Sequence, residues 1–296
     1  MVRVVGTLTT LPGRYQTLLI ALKSLKAQTY KLDTIYLAVP EKASRLDLSY
    51  DDIPEEISEL CVVVHPPVDY GPATKIYGGL YYEKDPETVI ISFDDDVIYD
   101  HNTVEILMKH HKKHPGVAIC GTGSLVGKGL LMASIHNNID CVARYNPMAG
   151  FNVTRDGRPV DVIYGCSGVL YQRKFFPKND KLVEKLFKYA LEDEDVFRND
   201  DILFSAYLCK KGIKRLVFKD VPNINRIENE EHNALSSSFL RVVSTMNNSI
   251  NKLKDEGLFC KFEQQGTEET AVIKFIVIVL LILAIATSIY YDMVMY

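Results

Sequence analysis

The chain has 296 residues, a formal net charge of −4, 47% hydrophobic residues and 24% charged residues. This length is enough for one large domain or two small ones with a sizeable core. The slightly acidic balance, with lysine and arginine scattered along the chain, argues against nucleic acid as a main partner. Six cysteines stand singly without a C-x-x-C pair, so we expect reduced thiols in the core and no zinc site.

Strand-like and helix-like segments alternate through the first part of the chain. Apolar, β-branched runs predict strands, and apolar residues spaced three and four apart predict helices. We predict strands at residues 3–8, 34–39, 61–65, 88–93 and 117–120, and helices at 14–28, at 73–82 and around 104–108. Near-continuous apolar strands separated by helices indicate an α/β fold with a mainly parallel sheet that is covered on both faces.

The pattern loosens at residues 121–157, which are rich in glycine and asparagine and predict a loop-rich insertion. Regular structure is expected again at 160–164 and 202–208. A last amphipathic helix is predicted from the apolar residues Phe239, Val243, Met246, Ile250 and Leu253. We predict a single domain over residues 1–262.

The C-terminal part of the sequence differs from the rest. Residues 275–291, FIVIVLLILAIATSIYY, contain no charge and no proline, and three further apolar residues precede them across Lys274. At about 1.5 Å per residue this stretch spans about 26–31 Å, enough for a bilayer core. The alternative is a buried core helix, which the preceding polar linker at 263–271 disfavours. We therefore predict a transmembrane helix at 272–291 that acts as a tail anchor, with the domain in the cytosol at a thin, ER-like membrane.

Three adjacent aspartates, Asp94, Asp95 and Asp96, follow the predicted strand at 88–93. Ligands of open α/β sheets bind beyond the carboxyl ends of strands, and adjacent unpaired carboxylates are costly to bury. A hard divalent cation, shared with substrate phosphates, would remove this cost. In an extended backbone Asp94 and Asp96 would face that ligand while Asp95 points elsewhere. The alternative is a solvated acidic turn or a helix N-cap.

Six segments in order resemble a known family: VGTLTTLPGRYQTLLIALKSLKAQTY, DYGPATKIYGGL, ISFDDDV, VIYGCSGVLYQRKFF, RNDDILFSAYLCKKG and EHNAL. Together they look like a GT-A fold, DxD-type glycosyltransferase over residues 3–235, similar to small glycosyltransferases of large algal DNA viruses and distantly to exostosin-like enzymes. The resemblance implies a GT-A, Rossmann-like fold, with a mixed, mainly parallel sheet flanked by helices. It also implies hexosyl or deoxyhexosyl transfer from a nucleotide sugar, by family habit a UDP-sugar, with Mn²⁺ or Mg²⁺.

The resemblance assigns roles to the aspartate triplet. Its DxD element is matched by Asp94, Asp95 and Asp96. Asp96 is implied as the main metal ligand, and Asp94 as a ribose-side contact that is also counted among the metal ligands. Asp95 would contact the donor through water. The metal would neutralise the leaving diphosphate.

Two loops are implied to bind the nucleotide. Thr10 and Arg14 lie between the first strand and the first helix, where backbone N–H groups suit an anion; an ordinary turn is the alternative. Asp69 and Lys75 match the nucleotide-contacting loop of the family, with Asp69 toward base or ribose and Lys75 toward the phosphates. A surface turn with a solvated lysine is the alternative there.

Two segments are implied to lie beside the donor sugar and the acceptor. Gly165, Ser167 and Gly168 match a glycine-containing segment whose small residues permit close approach of substrate; a tight turn is the alternative. Asp201, with Asp200 as the second choice, matches the acid that faces the acceptor. As a general base it would deprotonate the attacking hydroxyl, in a direct displacement with inversion. The alternative is two acids that stabilise a helix N-terminus.

His232 matches a C-terminal histidine that joins the metal or the diphosphate, and imidazole suits Mn²⁺ better than Mg²⁺. The acceptor is expected to be a glycan, a glycoprotein or a lipid-linked sugar at the cytosolic face of an ER-like, host or viral internal membrane. One alternative function is nucleotidyl transfer, although the glycine-rich phosphate loop expected of that class is missing from the sequence. Another is a non-catalytic, membrane-tethered protein that binds nucleotide sugars.

Overall fold

The computed structural model describes residues 2–127, 130–131, 157–178, 180–222, 225–227 and 239–259. Extended segments of the described residues form one large sheet and several two-stranded ones. The strands are β1 Val4–Thr9, β2 Thr34–Ala38, β3 Lys42–Ala43, β4 Leu48–Ser49, β5 Val62–Val64, β6 Val89–Ser92, β7 Val97–Ile98, β8 Ala118–Cys120, β9 Gly123–Ser124, β10 Val126–Gly127, β11 Leu130–Leu131, β12 Arg158–Pro159, β13 Val162–Ile163, β14 Val169–Gln172, β15 Arg215–Val217 and β16 Asn225–Arg226.

Helices connect most strands of the large sheet. The α-helices are α1 Tyr15–Lys26, α2 Glu55–Ser58, α3 Tyr77–Tyr82, α4 Thr103–Lys113, α5 Lys181–Glu192, α6 Glu194–Phe197, α7 Asp200–Lys210 and α8 Phe239–Asp255. Short 3₁₀-helices are formed by Gly71–Ile76, Gly165–Ser167 and Arg173–Phe175. The helix predicted at 73–82 is therefore two pieces, because the 3₁₀-helix begins before it and changes to α-helix at Tyr77.

The large sheet has the order β12-β15-β8-β14-β6-β1-β2-β5. The pairs β5–β2, β2–β1, β1–β6 and β8–β15 are parallel, whereas β14 is antiparallel to both its neighbours and β12 to β15. The predicted α/β fold with a mixed, mainly parallel sheet is confirmed. The chain moves outward from β1 to β2 and β5, then returns to β6 on the other side of β1, so the strand order reverses between β1 and β6.

The sheet is buried on both faces, as the near-continuous apolar strands predict. Residues alternate along β6, with Val89 and Ile91 in one core and Ile90 in the other. One core is completed by helices α1 and α4 through residues such as Leu22. The other is completed by α5, α7 and α8 through residues such as Phe204. Within the described residues, helices therefore cover both faces of the sheet.

No helix within the described residues is long and apolar enough to cross a membrane. The predicted linker at 263–271 and the transmembrane helix at 272–291 lie outside the described residues, as do most of the insertion predicted at 121–157 and the domain end at 262. Four cysteines fall within the described ranges, and all are free thiols, as predicted: Cys61, Cys120, Cys166 and Cys209.

Candidate active site

The loops after β1 and β6 meet where the strand order reverses. Thr10 follows β1, and its hydroxyl donates a hydrogen bond to Oδ2 of Asp95 at 2.6 Å. Arg14, at the start of α1, donates from Nη1 to Oδ1 of Asp95 at 3.0 Å. The carboxyl ends of adjacent parallel strands at such a reversal are where open α/β sheets bind ligands. The predicted contacts Thr10 and Arg14 thus lie at this point together with the acidic triplet.

Arg14 also neutralises a second member of the triplet. Its Nη2 lies 3.1 Å from Oδ2 of Asp96. Burial opposes the charge of the guanidinium, but Asp95 and Asp96 outweigh this effect and raise the pKa of Arg14. Burial raises the pKa of Asp95 to about 6, with Arg14 acting in the opposite direction and Asp96 adding repulsion. Arg14 is therefore the counter-ion of Asp95 and Asp96.

Lys75 is the counter-ion of the remaining aspartate and of the acidic helix α7. Its ammonium group lies 2.6 Å from Oδ1 of Asp94 and 3.0 Å from Oδ2 of Asp200. Burial lowers the pKa of Lys75, but Asp200, Asp94 and Asp201 outweigh this effect and raise it well above its ordinary value. Lys75 is consequently a buried, charged group rather than a solvated surface lysine, and it joins three distant chain segments.

These pairings change the electrostatic explanation of the triplet. We expected a divalent cation to offset three adjacent carboxylates, and the structure adds two protein cations, because Arg14 and Lys75 pair with all three of them. Across the described ranges, no group of three or more His, Cys, Asp or Glu side chains surrounds a common metal position.

The side chains of Asp94 and Asp96 nevertheless suit a hard cation. They are 25% and 27% exposed, whereas that of Asp95 is 8% exposed. Asp95 and Asp96 lie in a turn and not in the extended backbone that we expected, so the turn separates the buried carboxylate from the two partly exposed ones. Oδ2 of Asp94 and Oδ1 of Asp96 accept no hydrogen bond from the described residues. Each aspartate thus keeps one carboxylate oxygen of the type that Mg²⁺ and Mn²⁺ prefer.

Asp201 occupies the other side of Lys75. Its Oδ1 accepts a hydrogen bond from the Gly165 N–H at 2.8 Å. Burial raises the pKa of Asp201 well above its ordinary value, repulsion from Asp200 adds to this, and Lys75 opposes it. A Cβ atom on Gly165 would lie 3.1 Å from Nζ of Lys75 and 3.2 Å from Oδ1 of Asp201, so glycine keeps this space open. Gly165, Lys75, Asp94, Asp200 and Asp201 therefore form one cluster.

Ser167 and Gly168 have a supporting position instead. The Ser167 hydroxyl is buried and accepts a hydrogen bond from the Gly121 N–H at 3.1 Å. Gly168 has φ +78°, a conformation that favours glycine. These contacts fix the turn that presents Gly165. The thiol of Cys166, between Gly165 and Ser167, has its pKa raised by burial and by Asp94 and Asp201, so it remains protonated, consistent with a packing residue.

Both carboxylate oxygens of Asp69 accept hydrogen bonds from the protein itself. Its Oδ2 accepts the Ser44 N–H at 2.7 Å, and its Oδ1 accepts the Gly71 N–H at 2.8 Å. The side chain thereby links the β3–β4 hairpin to the 3₁₀-helix that carries Lys75. His232, the remaining predicted ligand, lies outside the described residues.

The structure adds residues that the sequence did not single out. The hydroxyl of buried Tyr99 accepts the Asp94 N–H at 2.8 Å and so fixes the backbone at the start of the triplet. The Tyr50 hydroxyl donates to the Thr10 carbonyl at 2.8 Å. The only available signal for Tyr99 was a polar ring in the apolar run that follows the triplet. Asn199, at the N-cap position of α7, makes no capping hydrogen bond with its side chain and donates to the Asp195 carbonyl at 2.7 Å.

No protein-family model matches the chain, and no curated protein is similar to it. Among solved structures, it is similar to glucosyl-3-phosphoglycerate synthase from Mycobacterium tuberculosis in complex with Mn²⁺, UDP-glucose and phosphoglyceric acid. That similarity has a TM-score of 0.45 at 14% identity, over 84% of this chain and 80% of the other. A structure of the synthase with Mn²⁺, UDP and phosphoglyceric acid has a TM-score of 0.44 at 14% sequence identity, over 84% of this chain and 78% of the other. At this level the similarities carry no argument about function.

Proposed function

We propose that this protein is a metal-dependent glycosyltransferase that moves a hexosyl or deoxyhexosyl group from a nucleotide sugar, a UDP-sugar, to an acceptor hydroxyl. The observation on which this depends is the cluster at the strand reversal between β1 and β6. There a triplet with two partly exposed carboxylates adjoins Asp201, a partly buried acid, with one lysine between them. Such a cluster offers a site for a charged leaving group next to a base.

The donor side is formed by the triplet and its two counter-ions. Asp94 and Asp96 would hold Mn²⁺ or Mg²⁺, which when bound supplies charge neutralisation to the diphosphate. Lys75 and Arg14 contact these carboxylates. Both are charged and held in place by their ion pairs, so they would place fixed positive charge beside the phosphates of the donor.

The acceptor side is formed by Asp201. Its raised pKa brings a carboxylate closer to the range in which it takes up a proton from an attacking hydroxyl. Asp200 is less suited to this role because its Oδ2 is bound to Lys75 at 3.0 Å. We infer that Asp201 is the general base of a direct displacement with inversion. Gly165 lies between the base and the triplet and leaves space for the sugar.

The test is a screen of nucleotide sugars with and without Mn²⁺, read as nucleotide release and as binding by calorimetry. Asp96→Ala is expected to lose metal-dependent UDP binding and transfer, whereas Asp201→Asn should bind UDP and lose transfer. Asp100→Asn, an exposed aspartate just beyond the triplet, is the matched control. Normal transfer by Asp96→Ala would contradict the metal assignment. Release of pyrophosphate from a nucleoside triphosphate instead would indicate a nucleotidyltransferase.

A further inference from the structure

An aromatic surface lies next to the loop that carries Asp69 and Lys75. The rings of Tyr77 and Tyr81, one turn apart on α3, stack with centroids 4.1 Å apart. The ring of Phe187 on α5 lies 6.4 Å from that of Tyr81 and 4.8 Å from that of Tyr70. We call the three tyrosines Tyr70, Tyr77 and Tyr81 the tyrosine strip, with Phe187 as its base.

The tyrosine strip is accessible although it packs on the core. Tyr81 is 48% exposed, Tyr70 and Tyr77 are half-buried, and Phe187 beneath them is buried. Leu191, one turn after Phe187 on α5, is 49% exposed and extends the apolar surface. Large apolar groups that cluster at the surface mark binding sites more often than isolated ones do.

The hydroxyl groups of the strip are available for a ligand. Those of Tyr70, Tyr77 and Tyr81 make no hydrogen bond to any other described residue, whereas Tyr36 and Tyr207 donate to Glu83 and to the Phe175 carbonyl. Burial raises the pKa of Tyr81, and the phenols of Tyr70 and Tyr77 raise it further. The hydroxyls of the strip are therefore neutral and lie near one another.

We propose that the tyrosine strip binds the neutral glycan chain of the acceptor, so that the acceptor is an oligosaccharide rather than a single sugar or a small acid. This inference rests on the proposed function. Sugar rings present C–H faces that pack on aromatic rings and hydroxyls that pair with phenols, which is the combination the strip offers.

The position of the strip supports a chain that extends from the active site. Tyr70 directly follows Asp69 and precedes the 3₁₀-helix Gly71–Ile76, which carries Lys75. The packing of Gly71 against Phe197 joins this helix to the segment that leads into α7 and its two acids. The carboxylate of Glu184 on α5 also acts on Tyr81, so the strip has an acidic neighbour as well as the lysines of that helix. A neutral glycan is the ligand that fits the stacked rings and their unpaired hydroxyls without depending on either charge.

The first experiment measures binding of the full-length chain to a printed array of neutral mono- to hexasaccharides, without donor or metal. Affinity is expected to rise with the length of the saccharide. The affinity of the double variant Tyr77→Ser/Tyr81→Ser should be lower than that of the wild type by at least about tenfold. The matched control is Tyr30→Ser, because Tyr30 is partly exposed but packs on the core at the other face of the sheet from Tyr70 and Tyr77. It should bind as the wild type does.

Three results would overturn the assignment. The first is an affinity for oligosaccharides no higher than that for monosaccharides, and the second is equal affinity of the double variant and the wild type. The third is a wild-type dimer that light scattering no longer detects in Tyr81→Ser, which would assign the strip to self-association. Because the array contains no donor, its outcome is separate from nucleotide release by the wild type, which tests the proposed function.

A second measurement needs no variant and covers the case in which the double variant does not fold. Hydrogen exchange of the wild-type chain is compared with and without the tightest hexasaccharide of the array. Slower exchange in residues 70–82 and in α5 is expected, since the strip draws on both segments. Unchanged exchange there, with glycan bound, would place the glycan elsewhere and overturn the assignment.

Discussion

Replacing Lys75 by methionine tests the electrostatics of the whole site. The variant removes the ammonium group between Asp94 and Asp200, whose side chains are 25% and 10% exposed. Removing one partner of a buried ion pair costs roughly 3–5 kcal/mol, because the remaining charge is left unpaired. Since Asp94 is partly reached by water, the lower end applies. We expect the free energy of unfolding to fall by about 3 kcal/mol at neutral pH.

The loss should depend on pH in a defined direction. Lys75 opposes the rise in the pKa of Asp201, so its removal raises that pKa further above the unfolded value of about 3.9. A carboxyl group with a raised folded-state pKa favours the fold when protonated and opposes it as pH rises through that pKa. The variant should therefore be least stable, relative to the wild type, above neutral pH and recover part of the loss in acid.

Urea unfolding measures this effect, and it can be followed by tyrosine fluorescence because the chain contains no tryptophan. Wild type and variant are compared at about pH 5 and about pH 8. Lys188→Met is the matched control, since Lys188 is 67% exposed and pairs with Glu192 at 3.3 Å. That surface pair should contribute about 0.5 kcal/mol or less. A loss in Lys75→Met no larger than in the control, or equal at both pH values, would refute the reasoning.

Three further predictions follow from particular residues. Gly165→Ala should keep the fold by circular dichroism and lower kcat by about tenfold to a hundredfold, because its Cβ would crowd Lys75 and Asp201; normal kcat would remove Gly165 from the site. His111 is buried with Nδ1 unpartnered among the described residues, and burial lowers its pKa, so its contribution to stability is present above about pH 6.5 and lost as pH falls. His111→Gln should therefore flatten the acid fall in Tm, and an unchanged pH profile would contradict this. We also propose that residues 272–291 cross a membrane: carbonate extraction should leave the full chain in the pellet and release a chain that ends at Thr267, and recovery of the full chain in the supernatant would count against it.

The sheet was predictable because its strands are continuously apolar. Ile90 and Ile91 face opposite cores, so the uninterrupted apolar run, and not a two-residue period, marks the strand and its burial on both faces. The antiparallel insertion of β14 was not predictable, since an apolar strand carries no record of its direction. The division of the predicted 73–82 helix into a 3₁₀-helix and an α-helix at Tyr77 was likewise not visible in the sequence.

The location of the site was also predictable, but its charge balance was not. Three aspartates at the end of a buried strand place a site at the edge of the sheet. The partners of those aspartates come from Arg14 and Lys75, which tertiary structure brings to them. Asp69 illustrates the same limit. Its two carboxylate oxygens accept hydrogen bonds from the backbone N–H groups of Ser44 and Gly71, and the sequence does not show these contacts.

The antiparallel strand β14 has a consequence for how the protein folds. It pairs with β6 on one side and with β8 on the other, and so joins the parallel block β5-β2-β1-β6 to the block of β8 and β15. Such long-range pairings form slowly because distant segments must meet first. During synthesis, the first block is complete long before Val169–Gln172 emerges. The acidic pair of α7 comes later still, so a nascent chain holds the triplet well before it has the base.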